Sequence, residues 1–221
     1  DVDNCLYPDQ SGVQKAASIL IDKFFQNHLG LSEGEATRLH QKYLEDYDLI
    51  VEGLITHHAI DPMVFNEMVE GAIPLESLIE ANPNLRRLLQ DIDTSQVRLW
   101  IFSNAYITHV EKVLRLLNIK EFFDGIIYCD PANVPIVCKP QAKMYAEAMK
   151  AAGVHSTAKC FLIDDSYNNC RGAQEFGWTA THLIEEGHPC PQSPAAQHRI
   201  RSLEDIRTLF PSWFTADPSE L

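Results

Sequence analysis

From residue 97 onward, short apolar runs alternate with stretches of helical period. Residues 97–102, 125–128, 160–163 and 178–184 are too short for buried helices, and turn or charged residues bound them. Between them, residues 106–117, 141–151 and about 168–175 read as helices, the last with Gly177 as its cap. Strands that alternate with helices in this way imply crossover connections, and therefore an α/β fold with a parallel sheet. Residues 187–198, which contain Pro and His, read as loop, and Ser202 with Asp205 opens a terminal helix that stops at Pro211.

The earlier part of the chain has a different texture. Val13, Ala16, Ala17, Leu20, Phe24 and Leu29 recur at helical spacing, so 13–28 is expected to be a helix ended by Gly30. Ser32 with Glu35 is a capping box for a second helix reaching about Tyr47. Residues 48–58 read as a third helix, and Asp61-Pro62 caps a fourth that ends near Gly71. Residues 13–80 are thus expected to be helical without a strand. A further helix is expected at 84–91.

Composition narrows the partners. At about 150 residues per domain, 221 residues make one large domain or a core with a smaller appendage. Apolar residues at 45% and charged residues at 22% describe a globular chain. A net charge of −13 argues against a nucleic-acid polymer as partner, because phosphate chains need basic surface. A small phosphorylated substrate is compatible, since one metal ion and one lysine reverse the field locally. No run of about 18 apolar residues is present, and no basic-then-apolar leader opens the chain, so no membrane association is expected. Cysteines at 5, 129, 138, 160, 170 and 190 form no C-x-x-C pair. Free thiols in a reducing compartment, cytoplasmic or nuclear, are the expectation.

In an open parallel sheet, ligands bind outside the carboxyl ends of the strands. Four polar groups are expected there: Asp1 with Asp3, Ser103 with Asn104, Lys139, and Asp164 with Asp165. Singly, each has an ordinary explanation as a solvated turn, a helix cap or a surface charge. Adjacent aspartates at a strand end are harder to dismiss, because like charges cost energy unless a cation or hydrogen bonds offset them. Together they make one chemistry. Carboxylates from two parts of the chain suit Mg²⁺ better than zinc. One carboxylate can attack phosphorus to form an aspartyl-phosphate, and another two residues on can act as acid and then base. A hydroxyl, a helix-start N–H and a lysine can hold the phosphoryl oxygens.

These residues resemble the haloacid dehalogenase-like (HAD) hydrolase superfamily. Four segments carry the resemblance in order: Asp1-Val2-Asp3-Asn4-Cys5-Leu6-Tyr7, Ile101-Phe102-Ser103-Asn104, Cys138-Lys139-Pro140, and Phe161-Leu162-Ile163-Asp164-Asp165-Ser166. Within it, the Asp-x-Asp-Asn-Cys-Leu-Tyr run, Gly53-Leu54 with His57-His58, Tyr128-Cys129-Asp130 and Asn168 resemble the fungal pyrimidine 5′-nucleotidase branch. The resemblance implies a Rossmann-like core, residues 1–12 and 82–221, with an inserted helical cap at 13–81. It implies Asp1 as nucleophile and Mg²⁺ ligand, and Asp3 as acid/base that also ligates through its carbonyl. Ser103, Asn104 and Lys139 would bind phosphate, Asp164 and Asp165 would complete the metal site, and Asn168 would support it. The family also places an apolar strand before the nucleophile, so the sequence reads as a fragment whose preceding strand lies upstream.

The expected substrate is a nucleoside 5′-monophosphate such as UMP or CMP. Nicotinamide mononucleotide, a sugar phosphate or lysophosphatidic acid fits the same core. Dehalogenation needs no acid for its leaving halide, so Asp3 argues for phosphoryl chemistry; a phosphomutase retains Asp3. The cap holds only Lys15, Lys23 and Lys42, none in an apolar niche suited to a Schiff base. An inert binding module of this fold is the alternative of another class. His57, His58, Tyr43, Tyr47, Phe65 and Met68 are read as packing residues before ligand contacts.

Overall fold

The computed structural model describes residues 1–215. Four helices follow the first loop: α1 (Val13–Leu29), α2 (Glu33–Asp46), α3 (Ile50–His58) and α4 (Pro62–Met68). Their ends are chemically marked. Gly30 closes α1 at φ 67°, a backbone angle that glycine adopts without a Cβ penalty. Ser32 and Glu35 cap α2 reciprocally, and Asp61 accepts the Met63 N–H at the start of α4, where Pro62 needs no partner. No strand interrupts residues 13–80.

The inner faces of these helices make one apolar cluster. Ile21, Phe24 and Phe25 of α1 meet Tyr43 of α2, Val51 and Leu54 of α3 and Phe65 of α4. Cys129, Ile136 and Cys138, which belong to the loop leading to Lys139, complete it. The helical layer is therefore seated on the loop that carries the candidate lysine. α3 comes close to α2 at Gly53, where a Cβ would stand 2.8 Å from the Tyr43 ring. Residues 73–79, including the short α5 (Leu75–Leu78), pack elsewhere: Ile73, Leu75 and Ile79 join the cluster of Val2, Leu6 and Ile101.

The rest alternates as expected: α6 (Pro83–Gln90), β1 (Trp100–Phe102), α7 (Ile107–Leu116), β2 (Gly125–Ile127), α8 (Ala142–Ala151), β3 (Phe161–Asp164), α9 (Tyr167–Phe176) and β4 (Thr179–Leu183). β5 (His198–Ile200) follows, then α10 (Ile206–Leu209). All ladders are parallel, in the orders β1-β2 and β3-β4-β5. Successive strand residues face opposite sides. Ile101 packs with α6 and α7, whereas Phe102, Leu162 and Ala180 pack with Met144 and Tyr145 of α8 and Cys170 and Ala173 of α9. Helices thus cover both faces. β5 corrects the loop expected through residue 198, and α10 is one turn, flanked by 3-10 turns, where a longer helix was expected.

β1 and β3 share no ladder, and the start of the chain lies between their carboxyl ends. The Asp1 main-chain nitrogen donates to Ile163 O at 2.9 Å, and Val2 is fully buried. The Val2 carbonyl then accepts from the Cys5 and Leu6 N–H groups, with Asn4 at φ 54°. This tight turn carries both Asp1 and Asp3 to the strand ends.

Candidate active site

Lys139 is the hub. Its side chain is fully buried, and its ammonium has three donors with three acceptors: Phe102 O at 2.7 Å, Asp164 Oδ2 at 2.6 Å and Asp1 Oδ1 at 2.9 Å. Those acceptors come from the end of β1, the end of β3 and the first loop. One charge thereby ties three segments together, and its burial is offset by full pairing. The Asn104 side chain fixes the lysine backbone, its Nδ2 donating to Lys139 O at 2.9 Å and its Oδ1 accepting from Lys139 N at 2.8 Å. What Asn104 has left for a ligand is its main chain and the second N–H of its side-chain amide. Ser103 is buried, with its Oγ accepting from Ala105 N at 3.0 Å.

The two adjacent aspartates occupy different surroundings. Asp164 is wholly buried, and both its oxygens are taken. Oδ1 accepts from Ser166 N at 2.9 Å and Asn169 Nδ2 at 3.0 Å, and Oδ2 faces Lys139. Asn169, not the exposed Asn168, supports this carboxylate. Asp165 turns toward the first loop. Asp1, Cys5 and Asp165 each offer a ligand atom, all within 4.8 Å of one another. Burial, and then the Asp164 charge, push the Asp165 carboxyl up to about 6, against an Asn4 hydrogen bond at 3.3 Å. Burial keeps the Cys5 thiol neutral, so the ionisable donors of this group are carboxylates. Asp1 and Asp164 both meet the buried Lys139 ammonium, and Asp165 stands beside Asp1. Such an oxygen-rich corner of excess negative charge fits a small hard cation.

Asp3 sits at the same mouth, with about a third of its side chain exposed. Its Oδ1 accepts from the Tyr7 hydroxyl at 2.5 Å and from His109 Nε2 at 2.8 Å. Burial alone would raise its carboxyl. The His109 ring, with Tyr7 and Lys139, outweighs that and holds it below the usual carboxylate range. His109 is itself raised: burial lowers it, and Asp3 and Glu70 together more than compensate. Burial raises the Glu70 carboxyl, whose Oε2 accepts from Tyr106 N at 3.1 Å, just before α7. Sequence reasoning did not single out His109, Glu70 or Asn169, and took Tyr7 only as part of a motif. No spacing marks them.

His57 and His58, at the end of α3, are exposed, and each meets a tyrosine of α2 or its C-terminal cap. His57 Nε2 meets the Tyr47 hydroxyl at 2.6 Å, and His58 Nε2 meets Tyr43 at 2.9 Å. Tyr43 and Phe65 are buried, whereas Met68 is exposed.

Strand-end carboxylates, a buried lysine and helices over both sheet faces define a hydrolase of the haloacid dehalogenase-like class in its architecture. The family model described as "haloacid dehalogenase-like hydrolase" matches residues 1–177, and the chain belongs to that family. It is 33% identical over 195 residues to phosphate metabolism protein 8 of Saccharomyces cerevisiae, with 84% of this chain and 61% of that protein covered. The chain therefore spans about three fifths of that relative's length. Among solved structures it resembles a HAD phosphatase from Thermococcus onnurineus, with a TM-score of 0.67, 19% identity and 97% of each chain covered. It also resembles L-2-haloacid dehalogenase from Xanthobacter autotrophicus, with a TM-score of 0.54, 18% identity, and 88% of this chain and 93% of that one covered. At such identities, the solved structures speak for the fold alone. No helix among the described residues is long and apolar enough to cross a membrane.

Proposed function

We propose that this chain is the catalytic unit of a Mg²⁺-dependent phosphatase, with residues 13–81 as its cap. Its substrates are small phosphomonoesters, foremost pyrimidine nucleoside 5′-monophosphates. The observation that carries the reading is the convergence of Asp1, Asp164 and Phe102 O on the Lys139 ammonium, with Asp165 beside Asp1. This supports a fixed carboxylate next to a cation site at the mouth of the sheet.

Asp1 is the nucleophile in this reading. One of its oxygens forms a bond to phosphorus while the ester P–O bond breaks, and Asp3, ionised at rest, relays to the departing oxygen a proton taken from the bound phosphomonoester or from water. Water then attacks phosphorus, Asp3 takes a proton back, the acyl–phosphate bond breaks, and the Asp1 carboxylate is restored with release of inorganic phosphate. Lys139 holds Asp1 in line throughout. Ser103 Oγ and the Asn104 main chain serve the phosphoryl oxygens. The Asp1 and Asp165 carboxylates and the Asp3 carbonyl would hold Mg²⁺, with Asp164 keeping Lys139 in place. The ion would supply charge neutralisation for the phosphoryl group. Asp3 favours this chemistry over dehalogenation, in which the departing halide needs no proton.

Support for pyrimidine nucleotides is the likeness of Asp1–Tyr7, Gly53-Leu54, His57-His58 and Tyr128-Cys129-Asp130 to the fungal branch. Six cysteines without a disulfide suit a reducing compartment, cytoplasmic or nuclear. The test is phosphate release with Mg²⁺ from UMP, CMP, purine nucleotides, nicotinamide mononucleotide, sugar phosphates and lysophosphatidic acid. UMP and CMP are expected to give the highest kcat/KM, with activity lost in EDTA and restored by Mg²⁺. Full activity in chelator would remove the metal from the reading, and preference for another ester would replace the substrate.

A further inference from the structure

We infer that His109 and Tyr7 form a clamp that holds Asp3 by one carboxylate oxygen in a single rotamer and so positions it for proton transfer to a leaving alkoxide. The inference rests on the reaction proposed above and deepens it by naming the residues that aim the acid.

The geometry is specific. Both donors converge on the same oxygen, Oδ1, at 2.5 Å from Tyr7 and 2.8 Å from His109. Among the described residues, no group donates to Oδ2, and the side chain is about a third exposed. One oxygen is therefore pinned and the other is left without a protein donor among the described residues. The two donors are themselves buried. Tyr7 is buried in the cluster of Val2, Leu6 and Ile101, and His109 is buried in the first turn of α7. His109 Nδ1 meets no hydrogen-bond partner among the described residues, so its hydrogen bonding is directed wholly from Nε2 toward Asp3. A buried polar atom left unpartnered is costly, and it persists here beside a carboxylate at the reaction centre. Glu70, on the return from the helical layer, accepts the Tyr106 N–H and braces the start of the helix that carries His109. His109 is thus a positioning residue that acts through Asp3.

Such a role has a signature that a purely structural one lacks. A nucleoside leaves as an alkoxide and needs the proton, whereas p-nitrophenol leaves as a stabilised phenolate and does not. The parameter kcat/KM reports steps up to leaving-group departure, before water attacks. The test compares kcat/KM for UMP and for p-nitrophenyl phosphate in the wild type, His109→Leu, His109→Gln and Tyr7→Phe. His109→Leu is expected to lower kcat/KM for UMP by about 10²-fold, in keeping with the size of general-acid catalysis. The value for p-nitrophenyl phosphate is expected to move less than about threefold. His109→Gln, which keeps a donor at similar reach, restores most of the UMP activity. Tyr7→Phe deletes a single hydroxyl and reproduces the selective loss even where His109→Leu folds poorly. Equal losses on both esters, or unchanged UMP turnover in Tyr7→Phe and His109→Leu, overturn the clamp while leaving the phosphatase intact. A wild type that hydrolyses neither ester overturns both.

Discussion

At the scale of single residues, the account turns on how charges are buried. Lys139 has every donor engaged, so removing its charge leaves Asp164 buried without a counter-ion. Breaking a buried pair from one side costs about 3–5 kcal/mol. Lys139→Met is therefore expected to lose turnover and to lower unfolding stability by about that amount in urea titration; unchanged stability would show that Asp164 does not depend on it. Asp165 gives a dependence on pH. Its carboxyl is pushed up to about 6 by burial and by Asp164, so without a cation it takes a proton below that value. The protonated form cannot ligate, and the proton and the ion compete. Mg²⁺ affinity measured by calorimetry is expected to be level above about pH 7 and to fall by up to about tenfold per unit below 6. Affinity that stays constant down to pH 5 would remove Asp165 from the metal site. The four strand-end groups were legible in the sequence because residue type and place in the chain both pointed the same way. His109 was not, because its partner Asp3 lies 106 residues away and a histidine in a helix carries no marker of it. Asn169 was missed by one position, since adjacent helix residues point about 100° apart.

At the scale of elements, local chemistry and packing can be separated at Gly53. An alanine in mid-helix gains roughly 0.5–1 kcal/mol over glycine. Here the added Cβ would stand 2.8 Å from the Tyr43 ring, and overpacking costs about 1–3 kcal/mol. Gly53→Ala is therefore expected to be net destabilising, with faster hydrogen exchange in α2 and α3 and unchanged exchange in β3 and β4. A uniformly slower exchange in α3 would mean that helix propensity governs the site. The capped helices could be read beforehand because Ser32, Glu35, Asp61 and Pro62 announce their ends. α5 and β5 could not: α5 spans little more than one helical period, and His198-Arg199-Ile200 of β5 lacks the apolar run that marks β1 and β2. Their conformation is set by packing, α5 against Val2 and Leu6, and β5 against β4.

At the scale of the whole molecule, distant segments meet at one point. The helical layer rests on Cys129, Ile136 and Cys138, next to the lysine that reaches Asp1, and its return segment carries Glu70 to the helix of His109. The alternation of strands and helices made the core readable, whereas the seat of the helical layer depends on long-range packing that periodicity does not encode. The central claim is that Asp1 attacks phosphorus and that Asp3 serves the following hydrolysis. It is tested most directly in Asp3→Asn mixed with Mg²⁺ and p-nitrophenyl phosphate, then quenched in acid for peptide mass spectrometry. Because p-nitrophenolate leaves without a proton while water attack needs the base, the account predicts a burst of one equivalent of p-nitrophenol and one PO₃ group on Asp1. Wild-type steady turnover in that variant, or a phosphoryl group found on Ser103 with none on Asp1, would contradict it.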